Sequence, residues 1–291
     1  IVIFRLIKNL IFVILPVIFT SCAKMLCAMN NNDRIERIRF IILFFAVERY
    51  NNIIELKEIS STNDYALELA RTKIVPEFTV IRADFQTKGR GQIGNHWVAD
   101  SGKNLLFSVI LHPTHISANN QFILSQCVSL ALFRTVSLFC DDVAIKWPND
   151  LYVGDKKIAG ILIENLLNGK QIASSIIGIG LNVNQEEFVG AVNPVSFKNI
   201  LHKELNINEL LLLFLKELDL LYSQIPQNNK VIQDEYLNHL YLKDRQAAFK
   251  DKDGKFIGTI TSVANDGKLH IIDSTGRERT YYFKEIEYLF L

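Results

Sequence analysis

Three short strings in this chain concentrate the residue types that handle anions. Lys88-Gly89-Arg90-Gly91-Gln92-Ile93-Gly94 sets two cations among three glycines. Glycine lets backbone N–H groups approach an anion closely, and arginine adds forked donors. The same string also reads as a mobile connection carrying solvated basic side chains. Lys146-Trp147-Pro148-Asn149-Asp150 puts one lysine at the end of an apolar stretch, where Pro148 and Asn149 force a turn. A lysine aimed from a rigid element suits an anionic transition state at phosphorus; an ordinary hairpin would also leave a lysine at its edge. Gly178-Ile179-Gly180-Leu181-Asn182-Val183 places glycines at alternate strand positions. That leaves room on one face for a flat ligand or for another segment of the chain. Lys156 and Lys157 precede the apolar run to Glu164 and fit either a cationic site or a solvated turn.

Composition restricts the chemistry these strings can serve. The chain has 291 residues, 49% of them hydrophobic and 22% charged, with six prolines. Those values exclude disorder and collagen-like repeats, and the length suits two domains, or one large domain with an appendage. Lys and Arg total 32 against 31 Asp and Glu, a net charge of +1 that gives no field for general nucleic-acid binding. The four cysteines form no CxxC pair and the six histidines no HxxxH, so neither a disulfide scaffold nor a dedicated transition-metal site is expected. Chemistry here rests on lysine, arginine, glycine and amide groups.

The elements that must position these groups are readable from Ile53 onward. Strands are expected at 53–56, 78–83, 104–111, 143–147, 151–153, 157–165 and 172–182, from their β-branched and apolar character. Ser61 to Asp64 supply capping groups for a helix that places Tyr65, Leu69 and Ala70 on one face. Residues 119–139 show helical spacing, and Asn206 opens a leucine-rich helix over 207–222 with Glu209 at its third position. Past Leu242, turn signals at Asp253-Gly254, Asp266-Gly267 and Ser274-Thr275-Gly276 recur about ten residues apart, which indicates a small β-barrel or meander. The expected domains are thus 53–240 and 243–291.

Residues 1–50 differ in texture. Arg5 and Lys8 precede an apolar run, Leu10 to Phe19, and then Thr20-Ser21-Cys22, in the manner of a bacterial signal peptide. The run contains Pro16 and falls short of a spanning helix. The expectation is an extension outside the fold, translated upstream of a start at Met29 or later, so that a chain beginning near Asn51 folds and acts alone.

As a set and in this order, these strings resemble the biotin protein ligase family. The matching pieces are Ser61-Thr62-Asn63, Gln86 with Gly89-Arg90-Gly91, Trp97, Lys146 to Asp150, Lys157 to Glu164, and Gly178 to Asn182. They cover about 53–185, and the resemblance continues more weakly to the carboxy terminus. It implies an α+β fold: a mixed, largely antiparallel sheet flanked by helices, related to class II aminoacyl-tRNA synthetase cores, with a carboxy-terminal SH3-like β-barrel. The implied activity joins biotin and ATP, with Mg²⁺, into biotinyl-5′-AMP. Biotin then passes to one lysine of a biotin carboxyl carrier domain, usually that of acetyl-CoA carboxylase.

The resemblance also implies roles. Ser61, Thr62, Asn63, Gln86, Arg90, Gly91, Gln92 and Lys146 would contact biotin. Lys146 and Arg90 would be catalytic, with Trp97, Lys157 and Asn182 near the nucleotide and no protein ligand to a metal. Many members carry Arg where this chain has Gln92; losing that cation would loosen retention of the adenylate unless Lys88 compensates. Residues 1–52 show no helix-turn-helix pattern, so a ligase-only type is expected: cytoplasmic, without DNA or membrane partners, and with homodimer formation open. Two rivals remain: a lipoate or octanoate attachment enzyme on the same fold, and a module holding single-stranded nucleic acid.

Overall fold

A computed structural model describes residue 50 and residues 52–92, 94–190 and 192–289. Seven strands form the first sheet: β1 (Ile53–Ile59), β2 (Thr79–Gln86), β3 (Leu105–Leu111), β4 (Val143–Lys146), β5 (Asp150–Val153), β6 (Lys156–Asn168) and β7 (Gln171–Leu181). Their order is β1-β2-β3-β7-β6-β5-β4, parallel between β1 and β2 and antiparallel elsewhere. The inner strand β3 is buried at every residue, as its apolar run, broken by Ser108 alone, predicts for a strand covered on both faces.

Successive side chains of β3 show what covers each face. Phe107 meets Phe214 of α4 (Ile207–Tyr222) edge-to-face at 5.3 Å. The next residue, Ser108, meets Thr62 and Asn63 at the start of α1 (Thr62–Thr72) on the other face. Under α1, Ala66, Val75, Ile81, Ile110 and Ile176 form an apolar cluster. The opposite layer joins α4 to α2 (Phe122–Ser137) and α5 (Ile225–Asn238), while α3 (Phe197–Leu201) is a short turn of helix. Ser61 caps α1 by accepting from Asp64 N–H at 3.4 Å, and Asn206 caps α4 by accepting from Asn208 and Glu209 N–H.

The last five strands, β8 (Gln246–Asp251), β9 (Gly254–Val263), β10 (Leu269–Asp273), β11 (Glu278–Tyr281) and β12 (Glu287–Leu289), pair antiparallel in the order β11-β10-β9-β8-β12. β11 and β12 form the two edges of this sheet, which does not close on itself; β8 to β11 run as the meander that the turn spacing offered beside a barrel. Among the described residues, no helix is long and apolar enough to cross a membrane.

The extension expected over 1–50 lies outside the described residues, except at its last position. Tyr50 is 5% exposed, donates its hydroxyl to Asp219 at 3.0 Å and stacks at a tilt on Phe78. The fold therefore includes Tyr50, and a start at Asn51 would remove a core side chain. Burying such a ring is worth about 1.5–3 kcal/mol. A chain truncated to begin at Arg49 should unfold roughly 5 °C higher than one truncated to begin at Asn52, in a thermal melt. Equal midpoints would return the boundary to residue 51.

Candidate active site

A cavity of about 650 Å³ opens on the α1 face of the large sheet. One end is built from neutral hydrogen-bonding groups. Gln86, at the end of β2, accepts from Thr62 N–H at 2.8 Å and from Thr62 Oγ1 at 3.1 Å. Ser108 Oγ lies 2.8 Å from Thr62 Oγ1 and 2.6 Å from Asn63 Oδ1. Asn63 Nδ2 donates to Leu162 O at 3.2 Å and Glu164 Oε2 at 2.9 Å. Thr62, Asn63 and Ser108 are buried, and their mutual bonds fix the rotamers that face the cavity.

The floor is glycine backbone that two side chains cover. Gly160 of β6 pairs in register with Gly180 of β7, and Leu162 with Gly178. A Cβ on Gly178 would overlap the Asn63 amide, and one on Gly180 would overlap the Trp97 indole. At Gly160 a Cβ would come 3.0 Å from Trp97 Cζ3. The alternate glycines thus admit two side chains, one from α1 and one from the loop before β3. Trp97 Nε1 is buried with no acceptor among the described residues, leaving a donor for a bound group.

Residues 87–92 and 94–97 form the two arms of a small hairpin. Arg90 bridges His96, Gly91 N–H donates to Asn95 O at 3.0 Å, and Trp97 N–H donates to Gly89 O at 2.9 Å. Gly89 is required because a Cβ there would strike the Trp97 carbonyl, so its smallness serves the chain's own backbone. Arg90 forks onto Glu164 at 3.1 and 2.5 Å and reaches Asp64 at 2.9 Å.

Two lysines supply the cationic end. Lys146 closes β4, and the turn after it is anchored at both sides. Trp147 Nε1 donates to Gly267 O at 2.9 Å, and Asn149 Nδ2 donates to Ile161 O at 2.6 Å. Lys146 Nζ lies 4.3 Å from the Tyr288 ring centre and 5.4 Å from that of Tyr152, within cation–π range of both. Burial holds its pKa below the ordinary lysine value; Asp150 opposes that shift and Lys157 adds to it. Lys157, at the start of β6, pairs with Asp150 at 2.6 Å and lies 5.6 Å from the Trp97 ring centre.

Of the residues singled out by sequence, Ser61, Thr62, Asn63, Gln86, Arg90, Gly91, Gln92, Trp97, Lys146 and Lys157 line this cavity. Asn182 does not. It is 4% exposed and donates to Val195 O at 3.0 Å, bracing the segment after β7. Sequence reasoning missed Lys284, Ile286, Glu287 and Tyr288, which the far sheet brings to the cavity wall. Their signal was faint: Tyr288 sits in an ordinary strand pattern over a hundred residues from Lys146.

Residues 55–182 match the biotin/lipoate A/B protein ligase family. The bifunctional ligase/repressor BirA of Bacillus spizizenii is 38% identical over 129 residues, 44% of this chain and 39% of that protein. The biotin–[acetyl-CoA-carboxylase] ligase of Paracoccus denitrificans is 35% identical over 142 residues, 48% of this chain and 58% of that one. The matched segment thus spans less than two thirds of either relative. A biotin protein ligase from Aquifex aeolicus, solved in complex with biotin and ATP, superposes with a TM-score of 0.67 at 27% identity. That match covers 81% of this chain and 97% of the other.

Proposed function

We propose that this chain, whose residues 55–182 match the biotin/lipoate A/B protein ligase family, activates biotin with ATP and transfers it to a lysine of a carrier domain. One observation carries the reading: a single cavity joins a neutral hydroxyl-and-amide end to a two-lysine end across a glycine floor. The neutral end suits a ureido ring, which offers N–H donors and a carbonyl acceptor without charge. Its carboxylate would then extend toward Lys146 and Lys157.

In the first step a biotin carboxylate oxygen attacks the α-phosphorus of ATP, forming the acyl phosphate bond as pyrophosphate leaves. Two anions must approach, so cations fixed beforehand lower the barrier. Lys146 and Lys157 would supply those cations, with Asp150 holding Lys157. In the second step a carrier lysine amine attacks the acyl carbon and AMP departs. Among the described residues, no group of three or more His, Cys, Asp or Glu could hold a metal ion. Of the cavity carboxylates, Asp150 is engaged by Lys157 and Glu287 lies 3.7 Å from Lys250. Magnesium, whose shell keeps several waters and suits phosphate oxygens, would come with the ATP phosphates.

The carrier would be the biotin domain of acetyl-CoA carboxylase or a related carboxylase, in the cytoplasm where ATP is supplied. The deciding experiment is pyrophosphate exchange with ATP and either biotin or lipoate. Exchange with biotin alone supports the reading, exchange with lipoate alone moves the chain to the lipoate branch, and exchange with neither removes both.

A pH dependence follows from the lysine environment. The ammonium is the useful form, and its lowered pKa means it loses its proton earlier as pH rises. Exchange should fall on the alkaline side below the roughly 10.4 of an exposed lysine. A full pH profile checks this, and activity undiminished to that value would count against Lys146.

A further inference from the structure

Glu164 lies on β6, outside the cavity lining, and no role follows from its place in the family string. Yet two parts of the site, the start of α1 and the loop carrying Arg90, meet on its carboxylate. Oε2 accepts from Asn63 Nδ2 at 2.9 Å and from Arg90 Nη2 at 2.5 Å, while Oε1 accepts from Arg90 Nη1 at 3.1 Å. Asp64, the residue after Asn63, approaches the same Arg90 Nη2 at 2.9 Å. A two-oxygen fork fixes the plane of a guanidinium, not merely its distance. The side chains of Arg90 and Glu164 are 34% and 28% exposed, so the pair is screened less than one standing free in water. An arginine facing two carboxylates has its charge largely answered within the chain. It is better placed to hold its loop than to attract a triphosphate.

We propose that Glu164 is a positioning residue that holds the Asn63 amide and the Arg90 guanidinium together, so that the seating of Arg90 and its neighbours Lys88 to Gln92 depends on the carboxylate that orients the hydrogen-bonding end of the cavity. The identity of the ligand rests on the biotin reading; the tie itself does not. Glu164→Gln keeps an acceptor for Asn63 and removes the charge that Arg90 needs.

The test uses the full chain as wild type, Glu164→Gln, Arg90→Ala and the double variant. Two readouts are taken: KM and kcat for biotin in pyrophosphate exchange, and the rate of tryptic cleavage after Lys88 in the absence of ligand. Glu164→Gln should raise the biotin KM about tenfold, the scale of one lost charged hydrogen bond, with kcat within about threefold of wild type. Cleavage after Lys88 should quicken by a similar factor, and the double variant should be no worse than Arg90→Ala alone. A purely structural glutamate would lower the melting point without this split and without non-additivity. Unchanged KM and cleavage, or additive effects, overturn the proposal. If Glu164→Gln fails to fold, Asp64→Asn removes the other carboxylate and should quicken cleavage to a smaller extent; no change there overturns it equally. Should the wild type show no biotin-dependent exchange, the functional reading fails while the cleavage comparison still decides the tie.

Discussion

Lys146→Ala is expected to lose at least about 100-fold in adenylate formation, the scale seen when one preorganised electrostatic donor is removed. The ammonium sits at the end of β4, held between the Tyr288 and Tyr152 rings, so it is fixed before substrate arrives. Lys146→Arg should rescue little, because the wider planar group cannot occupy a slot shaped for a point charge. Folding should change modestly, since the lost alkyl packing is offset by relief of a buried charge. The comparison is thermal midpoint, pyrophosphate exchange, and transfer from pre-made biotinyl-adenylate, in wild type and both variants. Loss confined to exchange places Lys146 in the first step. Near-normal exchange by Lys146→Ala would move the role to Lys157, which faces one carboxylate, and not to Arg90, which faces two.

Gly180→Ala should be among the most damaging single methyls in the site. Its Cβ would fall inside the Trp97 indole, and β7 is central in the sheet, paired on both sides, so the strand has little freedom to withdraw. Overpacking of this kind costs about 1–3 kcal/mol, or roughly 3–10 °C of thermal midpoint. The cheaper escape is for Trp97 to leave its seat. Because the chain has two tryptophans and Trp147 is 1% exposed, a red-shifted emission would report that move. The double variant Trp97→Ala/Gly180→Ala should regain most of the midpoint and none of the nucleotide-dependent activity. A full-strength, unshifted Gly180→Ala protein would show that the floor tolerates a side chain.

What the sequence disclosed and what it hid divide along the range of the interactions. Helix α4 is legible because Asn206 and its leucines act within a few residues, and β6 and β7 because their apolar runs are long. Helix α5 was not foreseen. Pro226 and the polar run Gln227 to Lys230 mask the spacing of Ile225, Ile232 and Tyr236, and the chain kinks at Asn228. In the site, residue types announced the hydroxyls, lysines and glycines. Partnerships were silent: Arg90 and Glu164 stand 74 positions apart, and nothing local links them. The paired glycines were open to two readings, a seat for a ligand or a close crossing. In the structure their space is filled by Asn63 and Trp97, and only Cβ geometry shows it.

The strand order has a consequence for synthesis. β3 pairs early with β2, but its other edge waits for β7, which follows more than sixty residues later. At translation speeds of 5–20 residues per second that wait is roughly 3–15 s. During it, a strand buried at every position in the finished protein exposes an unpaired apolar edge beside the ribosome, the kind of edge that recruits other chains. β7 ends the wait and in the same event lays down Gly178 and Gly180. The interval in which β3 lacks its second partner thus closes at the moment the cavity gains a floor.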